Sequence, residues 1–140
     1  MVAYYCPEPI SRRAESIVRG KGPVHVSDLT EIEFLAALSR KLRTGEVTAD
    51  AATAIRNYFA THLEEGVFRR VRLGPHHLRS ALELMSKLTT PLRTLDAFHL
   101  AIAAFDNFQL VTADETLALA AKEFSIRTTY LAAASRRRGS

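Results

Sequence analysis

Two aspartates carry most of the chemistry that this sequence offers. Asp96 stands in Thr94-Leu95-Asp96-Ala97-Phe98-His99-Leu100-Ala101-Ile102-Ala103-Ala104-Phe105, rich in alanine and leucine and free of Gly and Pro. Propensity makes this run a helix. Leu95, Phe98, Ile102 and Phe105 recur at helical spacing, which predicts one buried face. An acid in the first turn of so apolar a helix either complements the positive end of the helix dipole or serves a site. Asp114 follows the β-prone run Phe108-Gln109-Leu110-Val111-Thr112 and precedes a helix opening at Glu115. It therefore lies just past a strand's carboxyl end, where open α/β sheets build their sites. Asp114 can be the N-cap of that helix. Alternatively Thr112 and Glu115 form the capping box, which frees the Asp114 carboxylate to point into a cleft.

Other candidate groups are weaker. Glu33 interrupts Ile32-Glu33-Phe34-Leu35-Ala36-Ala37-Leu38, and its residue type alone reads as a solvated helix-face acid. It cannot share a site with Glu31, because two residues are roughly 200° of helix. His99 reads as a packed, hydrogen-bonded histidine rather than a ligand. His76 and His77, beside Pro75, read as surface residues at a helix start. Cys6 has no histidine partner nearby in sequence, so a thiol nucleophile is not expected. The spacings C-x-x-C, H-E-x-x-H and G-x-x-x-x-G-K are absent, which removes zinc-hydrolase and nucleoside-triphosphatase readings.

The elements that must position these residues alternate along the chain. Met1 to Arg19 reads as a helix interrupted at Cys6-Pro7-Glu8-Pro9, followed by a turn at Gly20-Lys21-Gly22-Pro23 and a strand at Val24-His25-Val26. The next helix opens at Ser27, with Asp28 and Glu31 spaced like a capping box and Ile32, Leu35, Leu38 and Leu42 as its core stripe. Gly45 ends it. A second long helix runs from Thr48 to Glu65, with Ala51, Ala52, Ile55, Tyr58, Phe59 and Leu63 spaced for burial, and Gly66 closes it. Val67 to Val71 is a strand near a sheet edge. Pro75 suits the first position of a helix over 76–88, and Arg127 to Leu131 is a final strand. Strands alternating with helices predict an α/β fold with a mostly parallel sheet.

Composition bounds the remainder. The 140 residues make one domain, with 47% hydrophobic and 24% charged residues, as in ordinary globular proteins. There is no membrane-spanning run and no signal-peptide pattern, and the single cysteine fits a reducing cytoplasm. Arg136, Arg137 and Arg138 hold three of the four net positive charges, so the body of the chain, residues 1–132, is close to neutral. The basic end, 133–140, is expected to be a flexible tail or an RNA-binding arm.

The string L-D-A-F-H-L-A-I-A followed by L-V-T-A-D resembles the carboxyl half of a PIN domain, in particular the VapC-like ribonuclease toxins of type II toxin–antitoxin systems. S-D-L-T-E-I-E-F-L-A-A-L resembles the PIN segment whose helix carries the second acid, and Glu33 is the match. The resemblance implies a three-layer fold with a central sheet flanked by helices. It also implies a site of Glu33, Asp96 and Asp114, supported by Thr112. Carboxylates gathered from separate elements repel one another unless a cation joins them, so such a site expects Mg²⁺ or Mn²⁺. The implied activity is RNA hydrolysis by a homodimeric, cytoplasmic enzyme neutralised by a cognate antitoxin, with no membrane partner. Val2-Ala3-Tyr4-Tyr5-Cys6-Pro7-Glu8-Pro9 matches the part of the family that follows its first strand and first catalytic Asp. By this alignment both fall before Met1, through a downstream start or a degenerate domain. A truncated start is favoured, because losing a central strand would leave unpaired sheet edges. The alternative to an enzyme is a catalytically impaired scaffold that binds RNA or a protein.

Overall fold

The computed structural model describes residues 1–6, 8–20 and 22–132, and the basic stretch 133–140 lies outside the described residues. The chain is a mixed α/β protein with short parallel strands, divided into two compact units, Met1–Arg72 and Leu73 onward. Among the described residues no helix is long and apolar enough to cross a membrane.

The first unit contains α1 (Val2–Tyr5), α2 (Ser11–Val18), β1 (Val24–Ser27), α3 (Asp28–Arg43), α4 (Ala49–Glu64) and β2 (Phe68–Val71). The two strands pair in parallel, Val24 opposite Phe68 and Ser27 opposite Val71, with α3 and α4 forming the crossover between them. Ser27 has the extended backbone of an N-cap, and its hydroxyl accepts the Thr30 amide at 3.1 Å. The expected Asp28–Glu31 capping box is therefore not the start of α3. Both acids already lie inside the helix, and each pairs with an arginine at or just past the end of β2: Glu31 with Arg70 at 3.0 Å, Asp28 with Arg72 at 3.2 Å. Gly45 and Gly66, the expected terminators, both sit at positive φ just beyond α3 and α4.

The core of this unit is Val26, Phe34, Leu38, Ala52, Phe59 and Phe68. The Phe34 and Phe59 rings lie 4.4 Å apart, and Tyr5 meets the edge of Phe59 while its hydroxyl bonds His62 Nδ1 at 2.7 Å. These rings decide which stripe of α3 is buried. Of the expected Ile32, Leu35, Leu38 and Leu42, only Leu38 is in the core, and Ile32 is 63% exposed. The inward face is Leu29, Phe34 and Leu38, rotated to carry the Phe34 ring against Phe59. For the same reason α4 buries Ala52 and Phe59 and leaves Tyr58 in solvent.

The second unit contains α5 (Pro75–Ser86), α6 (Thr94–Phe105), β3 (Leu110–Thr112), α7 (Glu115–Glu123) and β4 (Thr128–Tyr130). β3 and β4 are parallel, Leu110 opposite Thr128, with α7 as the crossover. Pro75 takes the first position of α5, as its fixed φ favours. Ala97 and Ala101 of α6 pack with Ala81 of α5, since methyl side chains let two helices approach closely. Leu100 packs with Leu117, Ala120 and Ala121 of α7. The expected α6 face of Leu95, Phe98, Ile102 and Phe105 is only partly buried: Ile102 is inside, but Leu95 is 48% and Phe105 56% exposed. A helix packed against two neighbours buries its small residues, so its large ones lie at the flanks.

Removing the Phe34 ring should cost about 3–5 kcal/mol, as for other buried aromatics cut to alanine. Ile32→Ala should stay within about 0.5 kcal/mol of the parent, as exposed substitutions do. Urea unfolding of both variants checks this, and comparable losses would place Ile32 in the core after all.

Candidate active site

Asp96 and Asp114 are brought together by a residue that the sequence reading passed over. Arg93, the N-cap residue of α6, has extended backbone and makes no side-chain cap. Its guanidinium instead reaches two acids at once. Nε donates to Asp96 Oδ2 at 2.8 Å, and Nη2 donates to Asp114 Oδ2 at 2.8 Å. The Asp96 side chain is 11% exposed and that of Arg93 68% exposed, so a nearly enclosed carboxylate meets a cation standing largely in water. The signal for Arg93 was present in the sequence as Arg-x-x-Asp, the helical i, i+3 spacing of an ion pair.

Asp114 combines the two roles weighed for it. It is the N-cap of α7, with Oδ1 accepting the Leu117 amide at 3.1 Å, so the Thr112–Glu115 box is not the cap. Capping uses one oxygen only, and Oδ2 remains turned to Arg93. Thr112 acts differently from expectation: its hydroxyl accepts the Asp114 amide at 3.0 Å and so fixes the backbone between β3 and α7. The Leu117 amide above all holds the Asp114 carboxyl below the ordinary carboxylate range; lost solvent opposes it, and the hydrogen bond and charge of Arg93 add to the lowering. Arg93 is pushed up, chiefly by Asp96 and then by Asp114.

Glu33 belongs to the first unit, half-buried on α3, where its charge and that of Glu8 act on the Met1 amine. His99 is half-buried on α6. Burial pushes the Cys6 thiol up, which suits a packed side chain rather than a nucleophile.

A second group of potential ligands is excluded by its hydrogen bonds. His76, His77 and Asp106 have ligand atoms within 4.8 Å of one another. The expected surface position of His77 is wrong, however, for this residue is 1% exposed. The Gly74 amide donates to its Nδ1 at 3.1 Å, so in the neutral ring the proton sits on Nε2, which donates to Asp106 Oδ2 at 3.0 Å. Neither ring nitrogen keeps a lone pair for a metal. His77 is a buried tie between the start of α5 and the end of α6, and the partly exposed His76 stacks on Phe105.

Acids paired at two helix starts, one of them just beyond a strand's carboxyl end, lie where open α/β sheets place their ligands. The PIN domain model matches residues 1–123, and the chain belongs to the PIN domain family. No curated protein matches it. PIN domains are typically metal-dependent nucleases. The residues present fit a hard divalent cation: two carboxylate oxygens from different elements already face one positive group, and carboxylate is the donor such ions prefer.

Substitutions at Asp114 separate its cap from its charge. Asp114→Asn keeps a competent cap, whereas Asp114→Ala should lose about 1 kcal/mol through the cap itself. Because the folded-state pKa is depressed, the charge contributes stability above the ordinary carboxylate pKa of about 3.9 and loses it as pH falls through the folded value. Wild type should therefore exceed Asp114→Asn at neutral pH and converge with it in acid. Urea midpoints measured from neutral pH down to about pH 2 check the sign. A gap that widens in acid would contradict it.

Proposed function

We propose that this chain is a divalent-metal-dependent endoribonuclease of the VapC type, the toxin of a toxin–antitoxin pair. One observation carries the reading: in a PIN domain, Asp96 Oδ2 and Asp114 Oδ2 are turned to the same cation. The proposed site is Asp96 and Asp114 as ligands of Mg²⁺ or Mn²⁺, with Glu33 as a further carboxylate by resemblance and Thr112 in support. Partners on this reading are RNA, a cognate antitoxin and a second copy of the chain, in the cytoplasm. Leu78, Leu82 and Met85 recur on one side of α5 with their side chains exposed, which suits a protein partner.

Hydrolysis of a phosphodiester needs an activated water and an answer to the charge that builds on the phosphate. Asp96 and Asp114 would hold a divalent cation, which would supply both. The chain's own residues supply placement. The Leu117 amide pins Asp114 Oδ1, so only Oδ2 is presented. The first turn of α6 holds Asp96 nearly enclosed, where its charge is less screened by water. Thr112 fixes the turn that carries Asp114.

The test is cleavage of structured RNA with Mg²⁺ or Mn²⁺. It uses the chain as given. Asp96→Asn and Asp114→Asn should each lower the rate by about 100-fold or more, on the scale of losing one site charge. No cleavage with either metal would leave the RNA- or protein-binding scaffold as the better reading.

A further inference from the structure

We propose that Arg93 is a built-in counterion that holds the place of the divalent cation between Asp96 and Asp114 and must be displaced for the metal to bind. The proposal rests on the metal-site reading above and adds a residue that opposes it. The guanidinium does not make an ordinary surface pair. It joins two acids 18 residues apart in sequence, on two helix starts, through two different nitrogens at 2.8 Å each. Among the described residues, no other basic side chain pairs with either acid.

Of the three groups, the arginine is the replaceable one. Its side chain is 68% exposed on a long stem. Asp114 is held by the Leu117 amide and the Thr112 hydroxyl bond to its backbone. Asp96 is nearly enclosed in the first turn of α6. The acids would thus stay in place while the guanidinium swings out.

Charge makes the two occupants exclusive. Two carboxylates and one arginine leave one negative charge, whereas two carboxylates and a divalent ion are neutral. Holding both cations would bring positive charges into contact beside the positive ends of two helices. An arginine fork and a hard ion also compete for the same oxygen atoms, since both Oδ2 atoms are already taken.

Mn²⁺ binding to the full chain, measured by calorimetry, tests the exchange. Arg93→Ala should bind Mn²⁺ about 5- to 100-fold more tightly than wild type, the span of an ordinary coupling between two sites. In wild type, Mg²⁺ should shift the Arg93 Nε–H resonance toward that of a solvent-exposed arginine. Without metal, Arg93→Ala should melt below wild type, and adding Asp96→Asn to it should recover part of the loss. Equal or weaker Mn²⁺ binding by Arg93→Ala, with binding abolished by Asp96→Asn, would overturn the counterion and keep the metal site. Failure of wild type and Arg93→Ala alike to bind Mn²⁺ would overturn the metal reading and the exchange with it.

Discussion

A carboxylate removed from water has to be met by positive charge, and in the second unit that requirement falls on Asp96. Its side chain is all but enclosed at the head of an alanine-rich helix, with a second carboxylate, Asp114, sharing its arginine. Three sources of positive potential answer the pair: the amino end of α6, the amino end of α7, and the guanidinium of Arg93. Each ties a piece of backbone to the same point. Arg93 must end its loop in extended conformation, Thr112 must hold the β3–α7 turn, and Asp114 must cap α7. The local structure around the acids follows from neutralising them.

The first unit is organised by a different constraint, the packing of large rings in a small core. Phe34, Phe59, Phe68 and Tyr5 fill the space between two strands and two long helices, and their contacts set the rotation of α3 and α4. Lys41 closes the other end of α3, bonded to Glu46 at 2.9 Å and to Glu8 at 3.2 Å. Such a partly exposed network adds modestly on its own. It does fix the turn after α3 and the segment that carries Glu8.

The order and type of the elements could be read from the sequence because they are local properties: alternation, alanine-rich runs, Gly and Pro as stops. Asp96 and Asp114 could be read because an acid on an apolar helix and an acid after a strand are both anomalies of pattern. The buried faces could not. On α3 two adjacent stripes are each apolar enough for a core, and the choice is made by Phe59, 25 residues away in sequence. On α6 alanine counts for little in a periodicity argument, yet Ala97 and Ala101 make the contact with α5. His77 was misplaced for a similar reason. One partner of its ring, Gly74, is a local backbone amide, but the other, Asp106, lies beyond the end of another helix. The pairing of Arg93 with Asp96 is legible by spacing, but its second pairing, with Asp114, is set by the fold and not by any local pattern.

The same features that neutralise the acids set a limit on what two acids can hold. Helix amino ends attract anions and repel cations, so a divalent ion placed at the heads of α6 and α7 meets an unfavourable field from both. One of the four carboxylate oxygens is also spent on the cap of α7. Two aspartates in this setting suffice for a guanidinium, which carries a single spread charge and brings its own fork of donors. The two aspartates match the charge of a compact divalent ion, and water would complete the oxygen shell beside the three oxygens left over. The pairing of both aspartates with Arg93 marks the point in the second unit where positive charge is required.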